Sequence, residues 1–463
     1  MTKYPYQNYY FFNKKLYFCD KSCTFAAEMD ILALIKSSGV RNFAKLLSAN
    51  VVAQVIGLIV YPILTRIYAP EDFGLLNLFL SISGVLVILS TAEYYNAIVL
   101  PKDDKEAKKI VLLSICLLLL MAAITGVTVC FSNAIANWFN TPDLAQYYWL
   151  MPILVLASGG WNILNYWYIR RGRYDKISTY QLSQSILSSG GKIGFGYAGV
   201  LGGGMIYSVV LAPIIALGTS LLGNIRGTST CKHFYYKEIV EMAKRYKNFP
   251  LYSLPRSFVN MLAGQLPVLL LTPWFGSQYV GWWSMALLLG FIPVNMISRS
   301  IYQVLYQYTT ERVNQQLTIG PYFRRFTYGV LLFGIPLFMA LFCLMPWLIS
   351  LFLGDGWEMT STYLRWMLPW LLSSVLTAST GFLSDIFMKQ KIGFGFELLT
   401  AFLRVVGVVL GIALGDFSVA ILCYSTGTAI AVTAQYIWLI SLVKRYDAQI
   451  IVPNDGRADD NEK

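Results

Sequence analysis

Six cationic side chains stand within or at the ends of long apolar stretches: Arg66, Lys192, Arg256, Arg299, Arg365 and Arg404. A charge near the centre of a hydrocarbon layer costs roughly 3 kcal/mol or more, so retained cations of this kind are a functional signal by default. Arg presents a planar fork to phosphate oxygens and Lys a point charge, so the chemistry this set implies is the holding of an anionic group. By position, Lys192 and Arg404 are the deepest. Arg256 and Arg299 lie toward one end of their segments, Arg66 and Arg365 toward the other. The acids Glu93, Asp385 and Glu397 are fewer, and are candidates for ion coupling or charge neutralisation. The simplest structural reading pairs Glu93 and Glu397 with Lys192 and Arg404 across helix interfaces.

Polar side chains recur at helical spacing around these cations. Asn50 and Gln54 precede Tyr61 and Thr65; Ser158, Asn162 and Asn165 form a second stripe; Gln181, Gln184 and Ser188 lead to Lys192. Asn295, Arg299, Tyr302 and Tyr306 form a fourth, and Ser373, Thr377, Thr380 and Ser384 a fifth. Helix-to-helix hydrogen bonds explain single polar residues well. Five stripes favour a hydrated interior.

No metal or cofactor is expected. The single histidine, His233, falls in a basic connection, and the seven cysteines are odd in number and read as free thiols. Cys19 and Cys23 lack the second pair that a zinc site needs. Gly191-Lys192 is not a phosphate-binding loop, because Ile186 stands where that motif requires glycine.

The elements that position these residues are membrane-spanning helices. The chain has 463 residues, of which 56% are hydrophobic and 13% charged. Its apolar runs of about 20 residues can each cross a layer roughly 30 Å thick at about 1.5 Å per residue. Runs near 44–66, 73–99, 110–131, 146–168, 178–200 and 205–225 are followed by six more near 257–275, 279–304, 326–351, 362–387, 393–414 and 417–443. The net charge of +12 lies between the spans, which argues against nucleic acid. Lys and Arg crowd alternate connections: Lys102 to Lys109, Arg170 to Lys176, Arg226 to Arg256, Arg312 to Arg325, and Lys389 with Lys391. Because these residues are retained in the cytoplasm, both termini are expected there.

The expected organisation is a cytoplasmic tail over 1–40, a six-helix bundle over 41–225, a basic linker over 226–256, a second six-helix bundle over 257–443 and a tail over 444–463. Residues 1–28 have no signal-peptide pattern and read as an over-called start or a tail. An internal duplication is expected from three matches. Pro62-Ile-Leu with Gly74 corresponds to Pro267-Val-Leu with Gly281, and Tyr148 to Pro152 corresponds to Arg365 to Pro369. Lys192, Gly199 and Gly203 correspond to Arg404, Gly411 and Gly415. An even number of spans per half leaves the halves parallel.

The stretch Tyr61 to Gly74, followed by Ala97 to Lys102, resembles the bacterial O-antigen and capsular polysaccharide flippases of the multidrug/oligosaccharidyl-lipid/polysaccharide exporter superfamily. So do Leu266 to Leu271, Phe275-Gly276, Gly281, and Pro293 to Val304. The resemblance covers roughly residues 40 to 443. It implies an all-α, MATE-like integral membrane fold whose two pseudo-symmetric bundles flank a cationic cavity. The implied task is to move an undecaprenyl-diphosphate-linked oligosaccharide outward across a bacterial inner membrane. Membrane lipids are then partners, and a polysaccharide polymerase or other assembly proteins are candidate partners; no bond is made or broken. A multidrug antiporter of the same fold needs a carboxylate-rich cavity, and the first span has no acid. A glycan polymerase needs a sizeable outer loop, and these loops are short.

Overall fold

The computed structural model describes residues 57–200, 202–222 and 236–451. Asn50, Gln54, Cys19, Cys23, Cys231, His233, the N-terminal tail, residues 226–235 of the expected linker and residues 452–463 of the expected C-terminal tail lie outside the described residues.

The described residues form thirteen principal helices. These are α1 (Gly57–Ile67), α2 (Pro70–Leu89), α3 (Asp104–Thr128), α4 (Met151–Arg170), α5 (Tyr174–Tyr197) and α6 (Gly203–Leu222), then α7 (Tyr236–Arg245). The second half holds α8 (Leu254–Phe275), α9 (Ser277–Asn314), α10 (Gly320–Leu353), α11 (Glu358–Thr380), α12 (Gln390–Leu414) and α13 (Phe417–Ile451). Twelve of them correspond to the expected spans. Eight helices are long and apolar enough to cross a membrane alone, and Phe249–Val259 with Met261–Phe275, bent by 45° within α8, make a ninth when counted as one span. The protein is a multi-pass membrane protein.

Local chemistry sets the ends. Pro70 opens α2, where a missing N–H costs nothing, and Asp72 reaches back to accept from the Ala69 N–H at 3.0 Å. Asp103 caps α3 by accepting from Lys105 N, while Gly276 and Gly415 take positive φ values of 86° and 66° at helix junctions. Asp447, far along the chain in α13, accepts from the backbone N–H groups of Ile319 and Gly320 at 2.8 and 2.7 Å and fixes the start of α10.

Several expected boundaries move. The second span ends at Leu89, and the chain then turns through Ala92 and Glu93, both left-handed, into a 3-10 segment, Tyr94–Val99. The helices α9, α10 and α13 run to 38, 34 and 35 residues, well past the hydrocarbon. The connection between the expected third and fourth spans is largely two short helices, Ser132–Trp138 and Asp143–Tyr147. The linker contains α7, an amphipathic helix tied to the first bundle by Arg245–Glu106 and Lys109–Glu238 ion pairs and by Tyr94 Oη donating to the Ala243 carbonyl at 3.0 Å.

The halves repeat one packing scheme. In the first, α2 packs on α4, α4 on α3 and α6, and α5 on α6. In the second, α9 packs on α11, α11 on α10 and α13, and α12 on α13. Counting each half from its first span, these are the same four pairings, as a parallel duplication requires. The two bundles meet where α2 lies against α8 and α9.

At the basic face Arg170 acts as more than an orienting charge. Its Nη1 donates to the carbonyls of Pro101 and Ile98 at 2.5 and 3.3 Å, and its Nε and Nη2 reach Asp104 Oδ1 at 3.2 and 3.1 Å. Only 10% of its side chain is exposed. It satisfies carbonyls that the break after Leu89 leaves without helical partners. Arg170→Ala is expected to destabilise the protein by about 1 to 3 kcal/mol, the cost of leaving partly buried carbonyls unpaired, while half-exposed Asp104 keeps its pairing with Arg171. Hydrogen exchange over residues 94–104 should quicken; unchanged protection there would reduce Arg170 to a surface charge.

Candidate functional site

Lys192 and Arg404 sit one in each bundle, both half-buried. Arg404 stacks on two aromatic rings, 5.3 Å from the centroid of Trp370 and 5.4 Å from that of Tyr424, and its Nε donates to Thr428 Oγ1 at 3.3 Å. The guanidinium plane is thereby held, with its terminal nitrogens uncommitted to carboxylate. Around Lys192 the backbone is fixed by Tyr68, just past the end of α1, whose Oη donates to the Lys192 carbonyl at 2.7 Å. Gly196 allows this approach, because a Cβ there would press on Ile67 and Tyr68; Gly191 likewise admits Ser208 of α6. Gly190 and Gly194 face open space, with nothing within 4 Å of a Cβ placed there.

The two cations are not at matching depth. Lys192 lies five residues before the end of α5 and Arg404 ten before the end of α12, about 8 and 15 Å along the axes. Lys192 is therefore nearer the Lys/Arg-poor face, and the equation of Gly199 with Gly411 fails as well: Gly199 has φ +78° beyond its helix, whereas Gly411 packs inside α12 on Ala420.

Neither cation has a carboxylate partner among the described residues. The ion pairs there are Lys109–Glu238, Arg170–Asp104, Arg171–Asp104 and Arg245–Glu106, all at the basic face. Glu93 is buried at the basic end of α2 and accepts from Asn96 Nδ2 at 3.0 Å, while Glu397 and Asp385 are exposed. The expected neutralising pairs, Glu93 or Glu397 with Lys192 or Arg404, do not form.

The other expected residues separate. Arg256, Asn295 and Arg299 are exposed on the parts of α8 and α9 that lead toward the basic face. Gln184, Ser188, Asn162 and Asn165 are half-buried, and Asn165 Oδ1 and Gln181 Oε1 are buried without hydrogen-bond partners. Arg365 does not face the bundle interface: its Nε donates to the Phe342 carbonyl at 2.9 Å and it closes an apolar cavity of about 440 Å³ between α10 and α11. The fifth polar stripe serves packing rather than water. Ser373 Oγ bonds Thr433 Oγ1 at 2.8 Å, and Thr377 Oγ1 donates to the Val432 carbonyl at 3.1 Å, tying α11 to α13.

The Lys/Arg-poor end is closed. Helices α2 and α9 cross so tightly that a Cβ on Gly74 would fall on the Ser277 carbonyl and one on Gly281 on the Pro70 carbonyl. Buried Trp357 plugs the seam: its Nε1 donates to the Thr65 carbonyl at 3.2 Å and its ring stands edge-on to Phe73 at 5.1 Å. Trp282 Nε1 donates to the Gly356 carbonyl at 2.8 Å. Sequence reasoning paired Gly74 with Gly281 as repeat equivalents, but missed that they touch and missed Trp357. The only local signal is the Gly-Asp-Gly-Trp turn from Gly354 to Trp357.

Two parallel six-helix bundles joined at α2, α8 and α9, closed at one face, define a membrane protein with a MATE-like fold. An inward-facing multidrug resistance MATE family transporter of the MOP superfamily matches with a TM-score of 0.63 at 12% identity, over 86% of this chain and 96% of that one. Lipid II flippase MurJ in an inward closed conformation matches with 0.63 at 14% identity, over 90% and 93%. A MOP superfamily transporter from Pyrococcus furiosus, described as having reverse polarity of its binding pocket, matches with 0.51 at 13%, over 89% and 98%. No curated protein matches the sequence. Residues 63–362 match the family described as polysaccharide biosynthesis protein, and the chain belongs to that family.

Proposed function

We propose that the protein flips a lipid-linked oligosaccharide, carried on an undecaprenyl diphosphate, from the cytoplasmic to the outer leaflet of a bacterial inner membrane for surface polysaccharide synthesis. Lys192 and Arg404, one per bundle and without carboxylate partners among the described residues, carry the reading. A diphosphate supplies the missing negative charge, and the fork of Arg404, already oriented by Trp370 and Tyr424, suits its oxygens. The sugars need the bundle interface because each hydroxyl stripped of water without a partner costs several kcal/mol. Half-buried Gln184, Ser188, Asn162 and Asn165 offer such partners. Arg256 and Arg299 would draw the anion in from the cytoplasmic face, and Arg66 would receive it at the other.

An inside-negative potential favours outward movement of the anion by about 2.3 kcal/mol per charge per 100 mV. Glu93 and Glu397 are the candidates if an ion is exchanged as well. The test uses proteoliposomes containing a short fluorescent oligosaccharide on a diphosphate polyprenol, with leaflet exposure read by an added lectin. Flipping faster than in protein-free vesicles, and accelerated by the imposed potential, is expected. No flipping under any potential or ion gradient, together with uptake of a cationic dye, would instead assign a multidrug antiporter.

A further inference from the structure

Helix α10 is the most lipid-exposed long helix among the described residues: of its 34 residues only Phe323, Met345, Ile349 and Leu353 are buried. At its basic end, between α10 and α13, lies a cavity of about 480 Å³ whose lining includes Arg324, Tyr328, Lys444 and Asp447. Asp447 is already spent, accepting from the Ile319 and Gly320 N–H groups at 2.8 and 2.7 Å. Thr327 is satisfied by the Phe323 carbonyl and Tyr436 Oη, each at 2.6 Å. Arg324 and Lys444 remain, both exposed and without an ion pair among the described residues. Two free cations thus converge on a concavity at the edge of the hydrocarbon, where a basic pocket between transmembrane helices suits a lipid headgroup.

The same face of α10 continues as an apolar track. Eleven residues are three turns plus about 20°, so Arg324, Thr327 and Tyr328 stand in line with Ile335, Phe338 and Met339. Those three line the second cavity, of about 440 Å³, between α10 and α11. Along the way Tyr328, Leu332 and Ile335 are 67%, 69% and 45% exposed. The rise from Arg324 to Ile335 is about 16 Å, close to the depth of one leaflet of a hydrocarbon layer roughly 30 Å thick.

We propose that this face binds an anionic glycerophospholipid of the cytoplasmic leaflet, its phosphate held by Arg324 and Lys444 and one acyl chain laid along α10 toward Ile335. The site lies on the outer flank of the second bundle and is independent of what the protein transports. A bound lipid there would brace α10 against α13 at the junction that Asp447 already pins.

The test is native mass spectrometry of the full chain in neutral detergent, titrated with dioleoyl-phosphatidylglycerol, dioleoyl-phosphatidylcholine or inorganic phosphate. Phosphatidylglycerol is expected to bind more tightly than phosphatidylcholine. Arg324→Gln with Lys444→Gln should weaken the first phosphatidylglycerol roughly 30-fold, the loss expected of two cations beside a headgroup. The charge-matched control Lys389→Gln with Lys391→Gln should leave it unchanged. If the double variant fails to fold, Lys444→Gln alone should weaken binding roughly 5-fold. Equal affinity for both lipids, an unweakened Arg324/Lys444 variant, equal loss in the control pair, or displacement of the lipid by millimolar phosphate would each overturn the proposal.

Discussion

Gly281→Val is expected to keep the Lys/Arg-poor end of the protein from closing, and to stop transport as a result. The substituted Cβ would fall on the Pro70 carbonyl, a backbone atom of the opposing helix that no rotamer change can move. Gly74→Val meets the same obstacle at the Ser277 carbonyl. Overpacking costs about 1 to 3 kcal/mol in a core that can relax, and a backbone-to-backbone crossing sits at the upper end of that range. A penalty of about 3 kcal/mol on one of two states shifts their ratio by roughly 100-fold. Both variants should fold, because the contact joins the bundles rather than building either. Spin labels at Arg66→Cys and Asp355→Cys, in a background without native cysteines, should report a longer distance when either valine is present, with flipping read on unlabelled valine variants that keep Arg66. Gly126→Val, where a Cβ meets nothing within 4 Å, is the control. An unchanged distance with normal flipping would show that the crossing yields without cost and is no gate.

The second large effect is expected from the paired cations. Lys192→Ala and Arg404→Ala should each slow flipping of a diphosphate lipid by roughly 10- to 100-fold, since a charged hydrogen bond contributes about 1.5 to 3 kcal/mol. The double variant should lose less than the product of the two if both groups hold one diphosphate, because sites that share a ligand are not additive. Arg404→Lys separates recognition from packing. It keeps the charge but gives up the planar contact with Trp370 and Tyr424, so flipping should fall while the unfolding temperature changes little. Additive effects with equal losses of stability in all three variants would make these residues structural.

These two expectations stand at different distances from the sequence. Lys192 and Arg404 are legible as cations in apolar segments, since hydropathy reports the solvent a segment will meet. Their depths are not: α5 ends at Tyr197 because Gly199 turns there with positive φ, and α12 runs on to Leu414. The glycines were legible only as a repeated pair. A glycine pattern states that something comes close, without naming what does.

Apolar runs and end residues are enough to specify a polytopic helical protein, because each span must satisfy its own backbone in lipid before it meets any other. Which polar groups face one another was settled only when the bundles assembled. The stripe from Ser373 to Thr380 became a seam between α11 and α13, Arg365 turned away to α10, Arg170 became the clamp on a broken helix, and Trp357 closed the gap between Thr65 and Phe73. In hydrocarbon no hydrophobic force chooses between helix faces, so close packing and scarce hydrogen bonds between distant segments make that choice.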